Sequence, residues 1–324
     1  MCMIIFMKEL IYQKFILGCQ NLDDALKKGL GGVIFFTKDI KTTEQFKDLI
    51  KSIKSKSKIP PFLSIDQEGG RVERTENLRP KRESARFAFL KGEDFLKNQA
   101  EEISKELVEY GVNLNFAPCI DVNSNPNNPI IGERAFSDKT SEVIEGAKIF
   151  SEASKKYGII PCYKHFPGHG DANKDSHLVL PEINLPFDEM KKTHIKPFAE
   201  AVKNGADMIM AAHLHCTCFD KEAIPTSLSK NAIGYLRKTL NYDGVIISDD
   251  MVMKGVEKYN TLDAVIAGID AGLDMFIFRS SDDKTLNMID ELCKKANFDK
   301  NLREKIVKSN ERISRLKSKY NIQK

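Results

Sequence analysis

The chain has 324 residues, of which 50 are basic and 46 acidic, a net charge of +4, and a hydrophobic fraction of 41%. That length fits one large α/β barrel or two ordinary domains, and so weak a positive balance leaves no electrostatic footprint for nucleic acid. Seven cysteines without CxxC spacing, with Cys119 and Cys162 inside apolar runs, exclude a disulfide framework and fit a reduced, cytoplasmic protein.

In chain order, residues 1–12 form an apolar lead interrupted by Lys8 and Glu9. It lacks the basic start and small-residue cleavage site of a signal peptide. No apolar run reaches the roughly 18 residues of a membrane span. A soluble monomer is expected, with no membrane partner. A first short strand is expected at 14–17. Seven further apolar runs follow, at 32–36, 61–65, 112–116, 158–163, 206–210, 244–247 and 272–278. Amphipathic segments separate them, the clearest at 43–55 and 93–110. Short buried strands alternating with helices predict a parallel sheet covered on both faces. The expected fold is a single-domain (β/α)8 TIM barrel over residues 1–324, with 281–324 supplying one or two closing helices.

Barrels of this kind gather functional residues at the C-terminal ends of their strands. Here those ends carry Asp66, Lys164, His165, His213 and Asp249. Four segments can carry chemistry. Residues 64–74 place Asp66, paired glycines, Arg71 and Arg74 together, a set suited to a polyhydroxylated ligand or to a plain turn flanked by ion pairs. The Asn- and Pro-rich loop at 123–129 is costly to order unless it lines a site. Asp121 and Arg134 flank it, and they can either reach a ligand or pair with each other. The loop 164–177 holds three of the six histidines, His165, His169 and His177, with Asp171 and Asp175. That set reads either as metal ligands or as an Asp175–His177 dyad able to move a proton; the spacing favours the dyad. His169 is expected to pack or hydrogen-bond within the loop, and His215 to be capped or at the surface. Asp249 and Asp250 can cap a helix, or one can cap and leave the other for catalysis.

Lys164-His165-Phe166-Pro167-Gly168-His169-Gly170, followed by Asp175-Ser176-His177, resembles the signature of bacterial β-N-acetylglucosaminidases of glycoside hydrolase family three. The likeness extends to residues 65–74, 115–118, 132–134 and 248–251. It implies a barrel that removes terminal non-reducing β-linked N-acetylglucosamine with retention of configuration. The resemblance makes Asp249 the nucleophile and His177, assisted by Asp175, the acid/base. That is a departure from the two-carboxylate scheme. It places Asp66, Arg74, Arg134, Lys164 and His165 on the sugar. It implies neither metal nor cofactor, and a carbohydrate substrate, N-acetylglucosaminyl anhydro-muropeptides, in cytoplasmic cell-wall recycling. A metal-dependent barrel hydrolase and a non-catalytic sugar-binding protein are the competing readings.

Overall fold

Runs of Val, Ile, Leu and Phe too short for helices make the strands, in a computed structural model that describes residues 2–173 and 180–322. Among the described residues these are β1 (Phe15–Gly18), β2 (Gly32–Phe35), β3 (Phe62–Ile65), β4 (Leu114–Asn115), β5 (Ile160–Phe166), β6 (Glu182–Ile183), β7 (Met208–Ala211), β8 (His215–Cys216), β9 (Val245–Asp250) and β10 (Met275–Phe278). Eight of them close a parallel barrel in the order β1, β2, β3, β4, β5, β7, β9, β10 and back to β1. The remaining two, β6 and β8, pair with each other in parallel. The fold class read from the sequence holds, and each predicted apolar run overlaps a barrel strand.

Side chains alternate between two apolar layers, as the two-residue period of a strand requires. Ile16, Ile34, Leu114, Ile160, Met208, Ile247 and Met275 fill the barrel interior. Their neighbours Phe15, Val33, Leu63, Ile209, Ile246 and Phe276 face the outer helices. Burial on both faces explains why the strands read as continuous apolar runs rather than alternating ones.

The helix predicted at 93–110 is observed at Glu93–Tyr110, ended by Gly111 with φ of 90°, a left-handed stop that suits glycine. The one predicted at 43–55 spans Thr43–Lys56, with the Thr42 hydroxyl accepting the Gln45 N–H at its start. Both closing helices are present, at Asp283–Phe298 and Lys300–Lys319, each capped by an aspartate side chain. The second sends Ile313 and Leu316 into the apolar cluster of the barrel interior. The lead at the N-terminus is a helix, Cys2–Tyr12, that packs on both closing helices. Tyr12 donates to Asp290 at 3.0 Å, and Asn310 donates to the Leu10 carbonyl at 2.8 Å. Among the described residues no helix is long and apolar enough to cross a membrane.

Two breaks in the barrel ladder shape its C-terminal mouth. The register of β5 against β7 shifts between Tyr163 and Phe166. That of β10 against β9 shifts at Met275–Ile277, leaving Asp250 opposite Ile277. A regular strand would send successive residues to opposite faces. An irregularity re-aims them, and so Lys164 with His165, and Asp249 with Asp250, line the same pocket.

Candidate active site

The pocket lies at the C-terminal ends of the strands, with a volume of about 450 Å³. Its charged lining includes Asp66 after β3, Arg74, Arg134, Lys164, His165, and Asp249 at the end of β9; Phe36, Phe116 and Met210 are among its apolar walls. Six of the eight residues singled out in the sequence are thus brought together. The other two, Asp175 and His177, lie outside the described residues.

A buried ion network shapes the floor. Lys164 Nζ is 2.7 Å from Asp66 Oδ1 and 2.6 Å from Glu68 Oε1. Glu68 also takes the Arg134 guanidinium in a fork, Nε to Oε2 at 2.9 Å and Nη2 to Oε1 at 2.8 Å. Burial opposes the charge on Glu68, but Arg134 and then Lys164 outweigh it and hold the carboxyl below the usual range. Arg74 is looser, with Nη2 3.9 Å from Asp66 Oδ2, and its guanidinium lies 5.9 Å from the Phe36 ring. Asp66 and Arg74 therefore retain hydrogen-bonding capacity toward the cavity, whereas Glu68 is saturated by its two cations. Sequence reading missed Glu68: it sits two residues from Asp66 in the same motif, and only the fold shows which cations it reaches.

The suggested Asp121–Arg134 pairing does not occur. Arg134 belongs to Glu68, and Asp121 belongs to the histidine loop. Asp121 Oδ2 is 2.7 Å from His165 Nδ1, and Oδ1 accepts the backbone N–H of His165 at 3.2 Å and of His169 at 2.7 Å. Burial is again the largest influence on Asp121, and its interactions with His165 and then His169 together outweigh it and keep the carboxyl low. Asp121 thus fixes the ring of His165, whose Nε2 lies 3.4 Å from Arg134 Nη2.

Further along, Asn128 Nδ2 donates to the His169 carbonyl at 2.8 Å, while its Oδ1 accepts from Ile130 and Ile131 at 2.9 and 2.8 Å. Gly170 has no room for a side chain: a Cβ would fall 1.7 Å from the Val122 carbonyl oxygen. The Asn- and Pro-rich loop is thus ordered by clasping the stem of the histidine loop. Asn115, part of a motif quoted from the sequence but given no role there, pins the Asp66 turn by bonding both the N–H and the C=O of Gln67 at 2.9 Å.

The two aspartates that end β9 differ in their contacts, and neither caps the helical turn that follows at Lys254–Val256, which starts after Met253. Asp250 accepts the Val252 N–H at 3.1 Å and pairs with Arg279, and burial raises its carboxyl. Asp249 takes one bond, from the Asp250 N–H at 2.7 Å, and no cation pairs with it within 4.0 Å among the described residues. Burial works against its charge, but His165, then His213, the Asp250 N–H and Lys164 outweigh that and hold it below the ordinary 3.8.

His169, His213 and His215 are held by the fold. His169 is buried and packs with its ring centroid 6.0 Å from that of His165; neither of its ring nitrogens has a hydrogen-bond partner among the described residues, and burial lowers its pKa to about 4. His213 is held through Nδ1 by Ser227 at 2.7 Å. His215 is buried rather than at the surface, with Nδ1 3.1 Å from Glu182 and Nε2 2.9 Å from the Asp220 carbonyl. Among the described residues one trio offers metal-binding atoms within 4.8 Å of one another, Cys119, Asp121 and His165. Its members already bond each other, the Cys119 thiol donating to Asp121 at 3.3 Å. His165, His169 and Asp171 do not gather into a ligand set, and Asp171 instead accepts from Ser124 at 3.0 Å.

Comparison with known proteins agrees with this geometry. Residues 17–316 match the model for the glycosyl hydrolase family 3 N terminal domain. The chain is 32% identical over 319 residues to beta-hexosaminidase A of Pseudoalteromonas piscicida, covering 90% of this chain and 53% of that protein. It is 28% identical over 313 residues to a beta-hexosaminidase of Haemophilus influenzae, covering 91% and 88%. Among solved structures, a family 3 β-N-acetylglucosaminidase from Paenibacillus superposes with a TM-score of 0.91 at 28% identity, over 97% of this chain and 62% of that one. The chain therefore spans about half the length of the first of these relatives and most of the second.

Proposed function

The chain belongs to glycosyl hydrolase family 3, and from that premise we propose that it is a retaining exo-β-N-acetylglucosaminidase. One observation carries the reading. Asp249 is a half-buried, ionised carboxylate at a barrel strand's end, facing the pocket with no cation paired to it among the described residues, beside a floor of groups suited to sugar hydroxyls. A nucleophile needs that state: charged, poorly solvated and free on one side.

In the proposed reaction, Asp66, Arg74, Arg134, Lys164 and His165 hold the terminal sugar. Carboxylates accept from its hydroxyls and the cations donate to its oxygens. Asp249 attacks the anomeric carbon as His177 protonates the departing oxygen, with Asp175 stabilising the imidazolium. Water then displaces Asp249, deprotonated by the now neutral His177, and the configuration is retained by the double displacement. Asp249 stands below its ordinary pKa, so it is charged at neutral pH when attack begins. The names of the relatives support the hexosaminidase activity. The finer assignment is that the substrates are N-acetylglucosaminyl anhydro-muropeptides, cleaved by a monomeric, single-barrel enzyme in the cytoplasm during cell-wall recycling.

The test is hydrolysis of 4-nitrophenyl N-acetyl-β-glucosaminide in the presence of chelator, with the product anomer followed by NMR. Turnover giving the β-anomer first, abolished by Asp249→Ala and retained in part by Asp250→Ala, is the expected result. A first-formed α-anomer, or full activity in Asp249→Ala, overturns the mechanism, and dependence on added metal favours the metal-dependent hydrolase. Comparing an anhydro-muropeptide with chitobiose tests the substrate assignment: equal kcat/KM for both would remove it.

A further inference from the structure

Cys216 and Cys218 stand apart from the other thiols. Cys216 ends β8, and a tight turn follows in which its carbonyl accepts the N–H of Phe219 at 3.0 Å and of Asp220 at 3.3 Å. In a strand, residues two apart share a face. Here the turn brings Cys218 back toward Cys216, and the two Sγ atoms lie 3.2 Å apart. That is about 1 Å longer than a bonded pair, so little movement separates the thiols from a disulfide.

The electrostatics of the pair are asymmetric. The Cys216 thiol is buried and shares a hydrogen bond with Cys218 in which either sulfur can donate; that bond lowers the Cys218 thiol and raises that of Cys216. Cys218 is also the more exposed of the two. Elsewhere burial drives the thiols the other way: Cys119 and Cys162 lie well above the usual value, and Cys19 and Cys293 are pushed up to about 12. Thiolate character and access together decide which cysteine reacts, and only at this pair do they coincide among the described thiols.

We propose that Cys216 and Cys218 form a redox-active thiol pair, closed by a hydroperoxide to an intrachain disulfide and reopened by a dithiol. The Cys218 thiolate attacks a peroxide oxygen. An S–O bond forms as the O–O bond breaks, and the leaving oxygen departs with a proton as water or an alcohol. Cys216 then attacks the Cys218 sulfur. The S–S bond forms, the S–O bond breaks, and hydroxide leaves with the Cys216 proton as a second water. Two thiols give up two electrons and the peroxide takes them. The pair sits in a tether: His215 N–H bonds the Pro181 carbonyl at 2.8 Å and Thr217 N–H the Ile183 carbonyl at 3.1 Å, on the stretch to which the chain returns after the histidine loop.

The test treats the whole protein with hydrogen peroxide, removes it, alkylates under denaturing conditions and maps peptides by mass. The expected peptide containing residues 216–218 is two hydrogens lighter, resists alkylation, and becomes doubly alkylated after dithiothreitol. Cys216→Ser halts at a sulfenic acid on Cys218 that dimedone traps. Cys218→Ser leaves Cys216 freely alkylated. In the untreated native protein, Cys218 should react with iodoacetamide roughly tenfold or more faster than Cys119 or Cys162. A wild-type peptide that stays doubly alkylated while other thiols oxidise, or a dimedone adduct at Cys218 in the wild type without disulfide, overturns the proposal.

Discussion

Asp121 stands behind His165, its Oδ2 2.7 Å from the imidazole Nδ1, while its other oxygen gathers the backbone N–H groups of His165 and His169. One fully buried carboxylate therefore sets both a ring and the loop stem that carries it. Asp121→Asn keeps the size but removes the charge, weakening three bonds to a group whose contributions are individually about 1.5–3 kcal/mol. The expected outcome is a loss of about 2 kcal/mol or more in urea unfolding, with KM rising more than kcat falls, since His165 is assigned to ground-state sugar binding.

Glu68 is the counterion of two cations, the part-buried Arg134 and the buried Lys164. Removing one partner from such a cluster leaves charge uncompensated in a low-dielectric site, at a cost of about 3–5 kcal/mol. Glu68→Gln should approach that loss by denaturant titration, and should weaken binding of N-acetylglucosamine measured by calorimetry. Arg71→Ala, at the exposed rim of the same pocket, should change stability by less than about 0.5 kcal/mol.

Asn128 clasps one loop to the other. Asn128→Ala leaves two N–H groups, of Ile130 and Ile131, without their partner, and leaves the His169 carbonyl with the Ala172 N–H alone, at 3.2 Å. Each such buried group costs about 1–3 kcal/mol. The Arg134 turn and the histidine stem should both loosen, read as faster amide exchange across 130–134 and 168–172 and as a fall in kcat/KM of roughly tenfold.

Stability should rise with pH above neutrality, and two buried lysines set the sign. Burial lowers Lys14 and Lys317 to about 7 from 10.5. Two acceptors face each amine: the Asp274 carbonyl and Ser309 for Lys14, Gln13 Oε1 and the Pro60 carbonyl for Lys317. A neutral amine can still donate to both. Between pH 7 and 10.5 the unfolded chain holds protons that the folded protein has released, so unfolding becomes less favourable as pH increases. Each lysine contributes a slope of at most about 1.4 kcal/mol per pH unit, fading below pH 7, where both states are protonated. Urea midpoints from pH 7 to 9 measure the slope, and Lys14→Met and Lys317→Met should each flatten it.

The pH profile of kcat/KM should lack an acid limb from Asp249 above about pH 4, because its carboxyl lies below 3.8. The alkaline limb should come from the proposed acid His177 losing its proton. Its disappearance in His177→Ala, assayed on a dinitrophenyl glycoside that needs no acid assistance, is the check.

What the sequence determined by itself was the scaffold and the addresses on it. Buried parallel strands must be apolar along their whole length, so every barrel strand left a readable run, and residues at their ends could be named without coordinates. Asp66, Lys164, His165 and Asp249 were legible for that reason, and Arg74 and Arg134 because their motifs carried the resemblance. Pairing was not legible. Arg134 could equally have met Asp121, 13 positions away, as Glu68, 66 positions away, because chain separation says nothing about distance once a barrel has closed. The division between Asp249 and Asp250 depended on the register shift against β10, which sends both toward one pocket and gives Arg279 to Asp250 alone. His215 read as a capped or surface residue because its partners, Glu182 of β6 and the Asp220 carbonyl just beyond β8, are gathered by a two-stranded sheet that no periodicity announces. Side-chain type and period are local properties of the chain. Which charges share a buried space is decided only when strands distant in sequence are laid side by side.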